Sequence, residues 1–100
     1  MQKTVVVTQE DINAGLKLIP THDPIALALK REFNSEFACV SNTKAYIIKK
    51  GMLFEMSLPE YIGDWLASFD IGNPVTSIRI QTCFVSKLDP CKLPPERIDL

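Results

Sequence analysis

The middle of the chain holds three strand-like segments in close succession, separated only by short turns. A connection of so few residues joins antiparallel neighbours, because a parallel pair needs a crossover of about a dozen residues or more. The pattern therefore predicts an antiparallel meander, around which the rest of the chain has to fold. The predicted strands are Phe37–Val40, Lys44–Lys50 and Met52–Met56, and the turns are Ser41–Thr43 and Gly51.

Two helices are predicted before the meander. Thr8 is a typical N-cap for a brief helix, with Asp11 at its third position and Gly15 as a left-handed stop. A second helix is predicted to begin at Pro24, since proline suits the first turn of a helix. Its apolar positions recur at helical spacing and indicate one buried face. That face consists of Ile25, Ala28, Leu29 and Phe33.

A third helix is predicted after the meander. Ser57 and Glu60 form a capping-box pattern with Pro59 just inside the helix, which is expected to end at Asp70–Gly72. Gly63 lies within it, where glycine costs about 1 kcal/mol relative to alanine, so we expect a close backbone approach there. The apolar stripe of this helix is interpreted as core, with one aromatic edge left for a surface. The stripe consists of Tyr61, Ile62, Trp65, Leu66 and Phe69.

Strand-like runs near both ends complete the predicted fold. Residues 3–8 carry three consecutive valines, and residues 75–85 alternate apolar and polar side chains. The resulting order, β-α-α-β-β-β-α-β, predicts an α+β domain. We expect one small antiparallel sheet of roughly four or five strands, with two or three helices packed mainly on one face. Residues 1–86 are assigned to this domain, and residues 87–100 to a Pro-rich, extended tail.

Composition places the chain among ordinary globular domains. Of its 100 residues 46% are hydrophobic and 23% charged, and the formal net charge is −1. This balance argues against a nucleic-acid binder with a dense cationic face, and also against an acidic mimic of nucleic acid. No leader pattern follows Met1, and no apolar stretch approaches the ~18 residues that span a bilayer, so a soluble, cytoplasmic protein is expected.

The cysteines and the single histidine do not form a metal-site pattern. Structural zinc sites draw on closely spaced ligand pairs, and the sequence contains no such pair. An odd number of cysteines indicates a reducing compartment, and those within strands are expected to behave as small hydrophobes. Neither a metal nor another cofactor is predicted. The residues concerned are His22, Cys39, Cys83 and Cys91, of which Cys91 in the tail is expected to be the most exposed.

The dipeptide His22–Asp23 allows two interpretations. In the first, His22 is a general base or ligand held in one tautomer by Asp23. In the second, Asp23 or Thr21 is the N-cap of the helix that begins at Pro24. The cap is favoured, because no serine or cysteine lies near in sequence to complete a catalytic set. The chain also lacks a glycine-rich phosphate loop and a nucleophile elbow, and no enzymatic activity is predicted.

Two surface segments are candidates for contact with a partner. The loop before Pro24 contains three apolar side chains beside His22, which is unusual unless they fold inward or meet a partner. The second segment is a cationic hairpin, which would contact phosphates or, alternatively, protect a solvated sheet edge. The last strand adds Arg79. The candidates are Leu16, Leu18, Ile19, His22, Lys44, Tyr46, Lys49, Lys50 and Arg79.

Three motifs, in order, resemble a family of short, largely uncharacterised proteins carried by phages and prophages. They are T-x-E-D-I-x-x-G at residues 8–15, P-I-A-L-A-L at 24–29, and L-P-x-x-I-x-x-[WF]-[LI]-x-x-F-D-x-G-x-P-V at 58–75, with Ile78–Ile80 as the final strand. The likeness covers roughly residues 3–84. Many members carry cysteines in the loop before the proline, whereas residues 16–23 contain none here, so no metal or redox role is carried over to this loop.

The resemblance implies a small phage-encoded accessory protein made inside a bacterium. Such proteins often bind a host machine and block it, and inhibitors of host defence, including anti-CRISPR proteins, are a prominent class. The leading hypothesis is therefore a non-enzymatic inhibitor that binds a host protein or ribonucleoprotein complex and acts by occlusion. Two alternatives stay open. One is a nucleic-acid-binding accessory factor that uses the cationic residues and Lys87, and the other is a small-molecule or nucleotide-binding module.

Overall fold

The computed structural model of the protein describes residues 2–86 and places six strands and three helices in them. The predicted α+β class and the predicted order of elements are confirmed. The predicted tail at residues 87–100, which includes Cys91, lies outside the described residues. The elements are β1 (Gln2–Val7), α1 (Gln9–Ala14), α2 (Pro24–Phe33), β2 (Phe37–Val40), β3 (Lys44–Lys49), β4 (Met52–Ser57), α3 (Glu60–Asp70), β5 (Ile78–Cys83) and β6 (Val85–Ser86).

The strands form two antiparallel sheets instead of one. The small sheet pairs β1 with β5, and the large sheet has the order β2-β3-β4-β6. The change of partner falls at Phe84, between β5 and β6. The ring of Phe84 is buried and packs edge-on against Phe33, with the two ring centroids 5.3 Å apart. The chain therefore passes from one sheet to the other at a single buried aromatic residue.

Helix α2 packs against both sheets and forms the centre of the core. It contacts β1 of the small sheet and both β2 and β3 of the large sheet, and α1 lies against it as well. The predicted apolar face is confirmed, since each of its four members is at most 5% exposed. Burying a large aliphatic or aromatic side chain contributes about 1.5–3 kcal/mol. The same core includes Val5, Val7, Ile47, Ile62, Leu66 and Ile80.

The carboxylate of Asp11 joins three elements. Its Oδ2 accepts a hydrogen bond from Thr8 N–H at 2.9 Å while Thr8 Oγ1 accepts one from Asp11 N–H, which confirms the predicted cap of α1. Its Oδ1 accepts from Arg31 Nη1 at 2.6 Å, and Arg31 Nη2 donates to the carbonyl of Val6 at 2.9 Å. Arg31 is exposed, but it ties α2 to α1 and β1. The hydrogen bond to Asp11 raises the pKa of Arg31.

Helix α1 ends at Gly15 as predicted, but two other predictions at the helix ends are wrong. Gly15 is not left-handed, because its φ of −69° and ψ of 148° describe extended backbone. Glycine is needed there for another reason, since a Cβ would lie 2.6 Å from the ring of Pro24. Ser57 does not cap α3, because it is the last residue of β4 and takes part in the ladder with β3. Helix α3 instead begins at Glu60, after Pro59, without a side-chain cap.

The last long strand is shorter than predicted, because β5 begins at Ile78 and not at Val75. The carbonyl of Thr76, just before β5, accepts a hydrogen bond from Trp65 Nε1 at 2.9 Å, so a side chain of α3 takes the place of a strand partner. Cys83 is exposed on β5, so its thiol does not pack as the small hydrophobe that the sequence predicts.

Helix α3 packs against the core and also touches the β2–β3 turn. Three members of its predicted stripe are buried, namely Ile62, Leu66 and Phe69. Tyr61 is 58% exposed and provides the predicted aromatic edge at the surface. Gly63 is buried, and a Cβ there would lie directly against the carbonyl oxygen of Asn42. The predicted close backbone approach at Gly63 is thereby confirmed.

Gly63→Ala is expected to lower the free energy of unfolding by about 1–3 kcal/mol, because the added methyl group displaces α3 from the turn that holds Asn42. In an open helix position the same change raises stability by up to about 1 kcal/mol, so the sign of the effect is diagnostic. Urea unfolding followed by circular dichroism measures it. Asp64→Ala, on the exposed face of α3, is the control and is expected to change stability by less than about 0.5 kcal/mol. A stabilising effect of Gly63→Ala would contradict the close contact.

Candidate functional site

The loop between α1 and α2, residues 15–23, is held mainly by hydrogen bonds of its backbone. Leu16 N–H donates to the carbonyl of His22 at 2.8 Å, and His22 N–H donates to the carbonyl of Ile19 at 2.9 Å. At the end of β2, Val40 N–H donates to the carbonyl of Pro20 at 3.0 Å. The conformation of the loop is therefore fixed by partners within it and on β2.

The apolar side chains of this loop do not fold inward. Leu16 is 51% exposed, Leu18 73% and Ile19 42%. Ile71, directly after α3, is 75% exposed. It lies in the same region, because Leu18 N–H donates to Oδ1 of the preceding residue, Asp70, at 2.9 Å. We refer to Leu16, Leu18, Ile19 and Ile71 as the loop surface.

Leu18 has a left-handed backbone, with a φ of 63°. This conformation costs a residue other than glycine roughly 1–2 kcal/mol, although asparagine adopts it more readily. Because the side chain of Leu18 is largely exposed, burial in the core does not offset this cost. The hydrogen bond to Asp70 holds the strained backbone in place. Strain of this kind is typical of functional positions.

An open cleft of about 300 Å³ lies beside the loop surface. It is bounded by the α1–α2 loop, the end of β2 with the turn that follows, and α3. Its lining includes apolar Leu18, Ile19 and Leu66, and polar Asp23, Asn42 and Asp70. The cleft therefore combines apolar side chains with two carboxyl groups from distant parts of the sequence.

Asp23 is the N-cap of α2 and is almost fully buried, with only 2% exposed. Its Oδ1 accepts a hydrogen bond from Ala26 N–H at 2.8 Å, which confirms the cap favoured from the sequence. Burial raises the pKa of Asp23 to about 7, and the charge of Asp70 acts in the same direction, against the lowering effect of the hydrogen bond from Ala26. Near neutral pH the carboxyl group of Asp23 is therefore present in both its protonated and its ionised form.

His22 is exposed, and its ring makes no hydrogen bond or ion pair with the carboxylate of Asp23 in the described structure. Its Nδ1 lies 2.9 Å from Thr21 Oγ1. The dipeptide is thus the start of a helix, and His22 lies at the outer side of the loop.

The cationic residues of the β3–β4 hairpin do not form one surface. Lys44 and Lys49 lie at opposite ends of β3. Lys44 Nζ is 3.7 Å from Glu55 Oε1, whereas Lys49 Nζ donates to the carbonyl of Phe33 at 2.7 Å. Both cations therefore already have partners within the fold.

The remaining candidates are dispersed as well. Lys50 lies in the turn after β3 with a left-handed φ of 53° and is exposed. Tyr46 is half-buried on β3, where burial and then the neighbouring Glu55 raise its pKa. Arg79 is exposed on β5, in the small sheet. The structure thus brings together the apolar members of the loop, but not the cationic candidates.

Reasoning from the sequence did not include Asp70 or Ile71 in the candidate site. A signal for Asp70 exists, because a carboxylate at the carboxyl end of a helix interacts unfavourably with the helix dipole. The last turn of α3 contains no basic residue that would compensate. The contact between Asp70 and Leu18 joins residues 52 positions apart, which no local pattern reveals.

None of the helices within residues 2–86 could cross a bilayer, the longest having 11 residues. In the same part of the chain, no three His, Cys, Asp or Glu side chains are grouped so that they could hold a metal ion. Cys39, which also lines the cleft, is half-buried and has a free thiol.

The raised pKa of Asp23 predicts that stability is lost as the pH rises from the ordinary pKa of an aspartate, 3.8, to about 7. In this range the folded protein keeps a proton that the unfolded chain releases, so the free energy of unfolding falls by up to about 1.4 kcal/mol per pH unit as the pH rises. Asp23→Asn keeps a good N-cap and removes the ionisable group. At pH 8 the variant is expected to be about 1–3 kcal/mol more stable than the wild type, and its profile flatter.

Urea unfolding of both proteins at several pH values measures this difference. Asp64→Asn, which removes an exposed carboxylate of α3, is the control and is expected to follow the wild-type profile. Parallel profiles for the wild type and Asp23→Asn would show that Asp23 titrates normally.

Comparison of the chain with protein-family models, with curated proteins and with solved structures finds no match. The resemblance to phage proteins therefore stays a prediction. The function has to be inferred from the loop surface and the cleft.

Proposed function

We propose that the protein is a non-enzymatic protein-binding domain that inhibits or modulates a host bacterial complex by occlusion. The loop surface is the proposed contact. Leu18 supports this most directly, because a strained backbone holds its apolar side chain 73% exposed. Burial of a leucine side chain against a partner contributes about 1.5–3 kcal/mol. This gain would offset the backbone strain at Leu18, which no burial compensates in the unbound protein.

The neighbourhood of Leu18 supports the same function. Ile71 enlarges the apolar area, and the cleft beside it provides polar groups that can fix the orientation of a partner. Protein interfaces combine an apolar centre with a polar rim, and only a few residues contribute most of the binding energy. The loop surface and the cleft together fit this arrangement.

The resemblance to phage-encoded proteins supports the choice of a host partner. We propose an anti-defence role, and an anti-CRISPR role in particular, in which the loop surface covers a site on a defence protein or ribonucleoprotein. The net charge of −1 favours a protein surface over bare nucleic acid as the partner.

The alternatives have less support. A nucleic-acid binder would use the cations of the hairpin with Arg79 and Lys87, but Lys44 and Lys49 already have partners and Arg79 lies in the other sheet. Steep weakening of DNA or RNA binding with rising salt would favour this alternative. A small-molecule module would have to use the cleft, whose volume of about 300 Å³ is at the lower end for ligand sites.

Leu18→Asn is expected to abolish retention of the partner. Its stability is expected to equal that of the wild type or to exceed it by up to about 1 kcal/mol, since asparagine tolerates a left-handed backbone. Tagged wild type and variant are used as baits in a bacterial lysate, and the co-purified proteins are quantified by mass spectrometry. Thermal unfolding is measured on the same preparations.

Met52→Asn is the matched control for Leu18→Asn. Met52 is 50% exposed and begins β4, at the opposite end of the large sheet from the cleft, so this variant is expected to retain the partner. Equal retention by the two variants, or the absence of any stoichiometric partner, would contradict the proposal.

The anti-CRISPR role predicts a phenotype in infected cells. Expression of the protein in strains with active CRISPR immunity is expected to raise the plaquing efficiency of a targeted phage by orders of magnitude for at least one immunity type, and Leu18→Asn to abolish this rise. An isogenic strain without immunity is the control. Unchanged plaquing across a panel of immunity types would contradict the anti-CRISPR role while leaving protein binding itself intact.

A further inference from the structure

We propose that the cleft beside the loop surface binds one arginine side chain of the protein partner. This inference rests on the proposed function, because it names the chemistry of a partner that docks on the loop surface. The charge and the shape of the cleft support it.

The two carboxyl groups of the cleft, Asp23 and Asp70, have no cation as a partner. Within residues 2–86 neither of them makes an ion pair, whereas Asp11 is paired with Arg31. Lys17 has its Nζ near Gly72, just after α3, yet it makes no ion pair with Asp70. Like charges that share a cleft repel each other, so a cation placed there would relieve the repulsion.

The shape of the cleft suits a cation on an apolar stem. Leu18, Ile19 and Leu66 line it, and the stem of an arginine or lysine buries well along apolar side chains. The same apolar residues of the loop also belong to the surface on which the partner docks. A basic side chain at the centre of the interface could therefore enter the cleft while its neighbours cover Leu18.

The acceptors of the cleft favour arginine over lysine. The guanidinium group presents five N–H donors in a planar fork, whereas an ammonium group is a compact point charge. Asp23 and Asp70 line the cleft from separate elements; Asp70 is half-buried, whereas Asp23 is only 2% exposed. A planar fork can donate two hydrogen bonds to the carboxylate of Asp70, and arginine–carboxylate pairs are among the stronger hydrogen bonds in proteins. Asp23, in the wall of the cleft, attracts the cation by its charge.

Because Asp23 titrates near neutral pH, binding of a cation in the cleft is expected to depend on pH. Asp70 faces Asp23 from α3 and Cys39 faces the cleft from β2, while His22 is exposed and does not line the cleft. A bound guanidinium favours the ionised form of Asp23, so binding releases a proton. The affinity is therefore expected to rise with pH between about 6 and 8.

The test is a titration of the ¹⁵N-labelled protein with acetyl-Leu-Arg-Leu-amide, followed by amide chemical shifts. Saturable shifts at Leu18, Asn42 and Asp70 are expected. Peptides with citrulline or lysine at the central position serve as controls, since citrulline keeps the shape of arginine without its charge. Both are expected to bind at least about ten-fold more weakly.

Asp70→Asn separates charge from structure in this titration. Its side-chain oxygen can still accept the hydrogen bond from Leu18 N–H, so the loop is expected to stay in place, while the affinity for the arginine peptide falls about ten-fold or more. Asp64→Asn, on the exposed face of the same helix, is the matched control and is expected to bind as the wild type does.

Several results would overturn the proposal. They are the absence of saturable shifts up to about 10 mM peptide, equal binding of the citrulline or lysine peptide, and an affinity that does not change with pH. If the arginine peptide fails while Leu18→Asn still loses the partner, the arginine site is wrong and the proposed function stands. If Leu18→Asn keeps the partner, the proposed function is wrong, whatever the peptide does.

Discussion

The start of α2 depends on the hydrogen bond from Ala26 N–H to the buried carboxylate of Asp23. Because α2 is the element that contacts both sheets, the residue at which it begins determines which of its side chains enter the core. The same residue ends the α1–α2 loop, whose other end is closed by the tight contact between Gly15 and the ring of Pro24. The core and the exposed loop are thus positioned by one helix end.

Capping alone does not account for an acid at position 23. Asparagine or serine would start a helix as well, without the cost of burying a carboxyl group. Asp70 is also unfavourable where it lies, at the carboxyl end of its helix. Both residues contradict a local preference, and both line the same cleft. Local conflicts that coincide in one place are typical of functional sites, which explains why the cleft is interpreted as a binding site.

The correct predictions from the sequence are those that depend on neighbouring residues. The caps at Thr8 and Asp23 involve partners three positions away, and the meander follows from short turns. The prediction for Ser57 was wrong because its sequence context fits both a capping box and a strand. In the structure Ser57 pairs with β3 and does not cap α3. The division into two sheets at Phe84 and the cleft itself arise only when distant segments pack. Leu16, Leu18 and Ile19 could be singled out nonetheless, because apolar side chains are unusual in a loop whatever the fold, whereas Ile71 could not.

The contact between Gly63 and the carbonyl of Asn42 has a consequence for recognition. Asp70 belongs to α3 and Asn42 to the β2–β3 turn, so two walls of the cleft are joined backbone to backbone, without a side chain between them that could change rotamer. A cleft built in this way is preorganised, and a ligand that enters it orders little additional structure. The width of the cleft then limits the size of the group that can enter, because the two walls cannot move independently to fit a larger or smaller one.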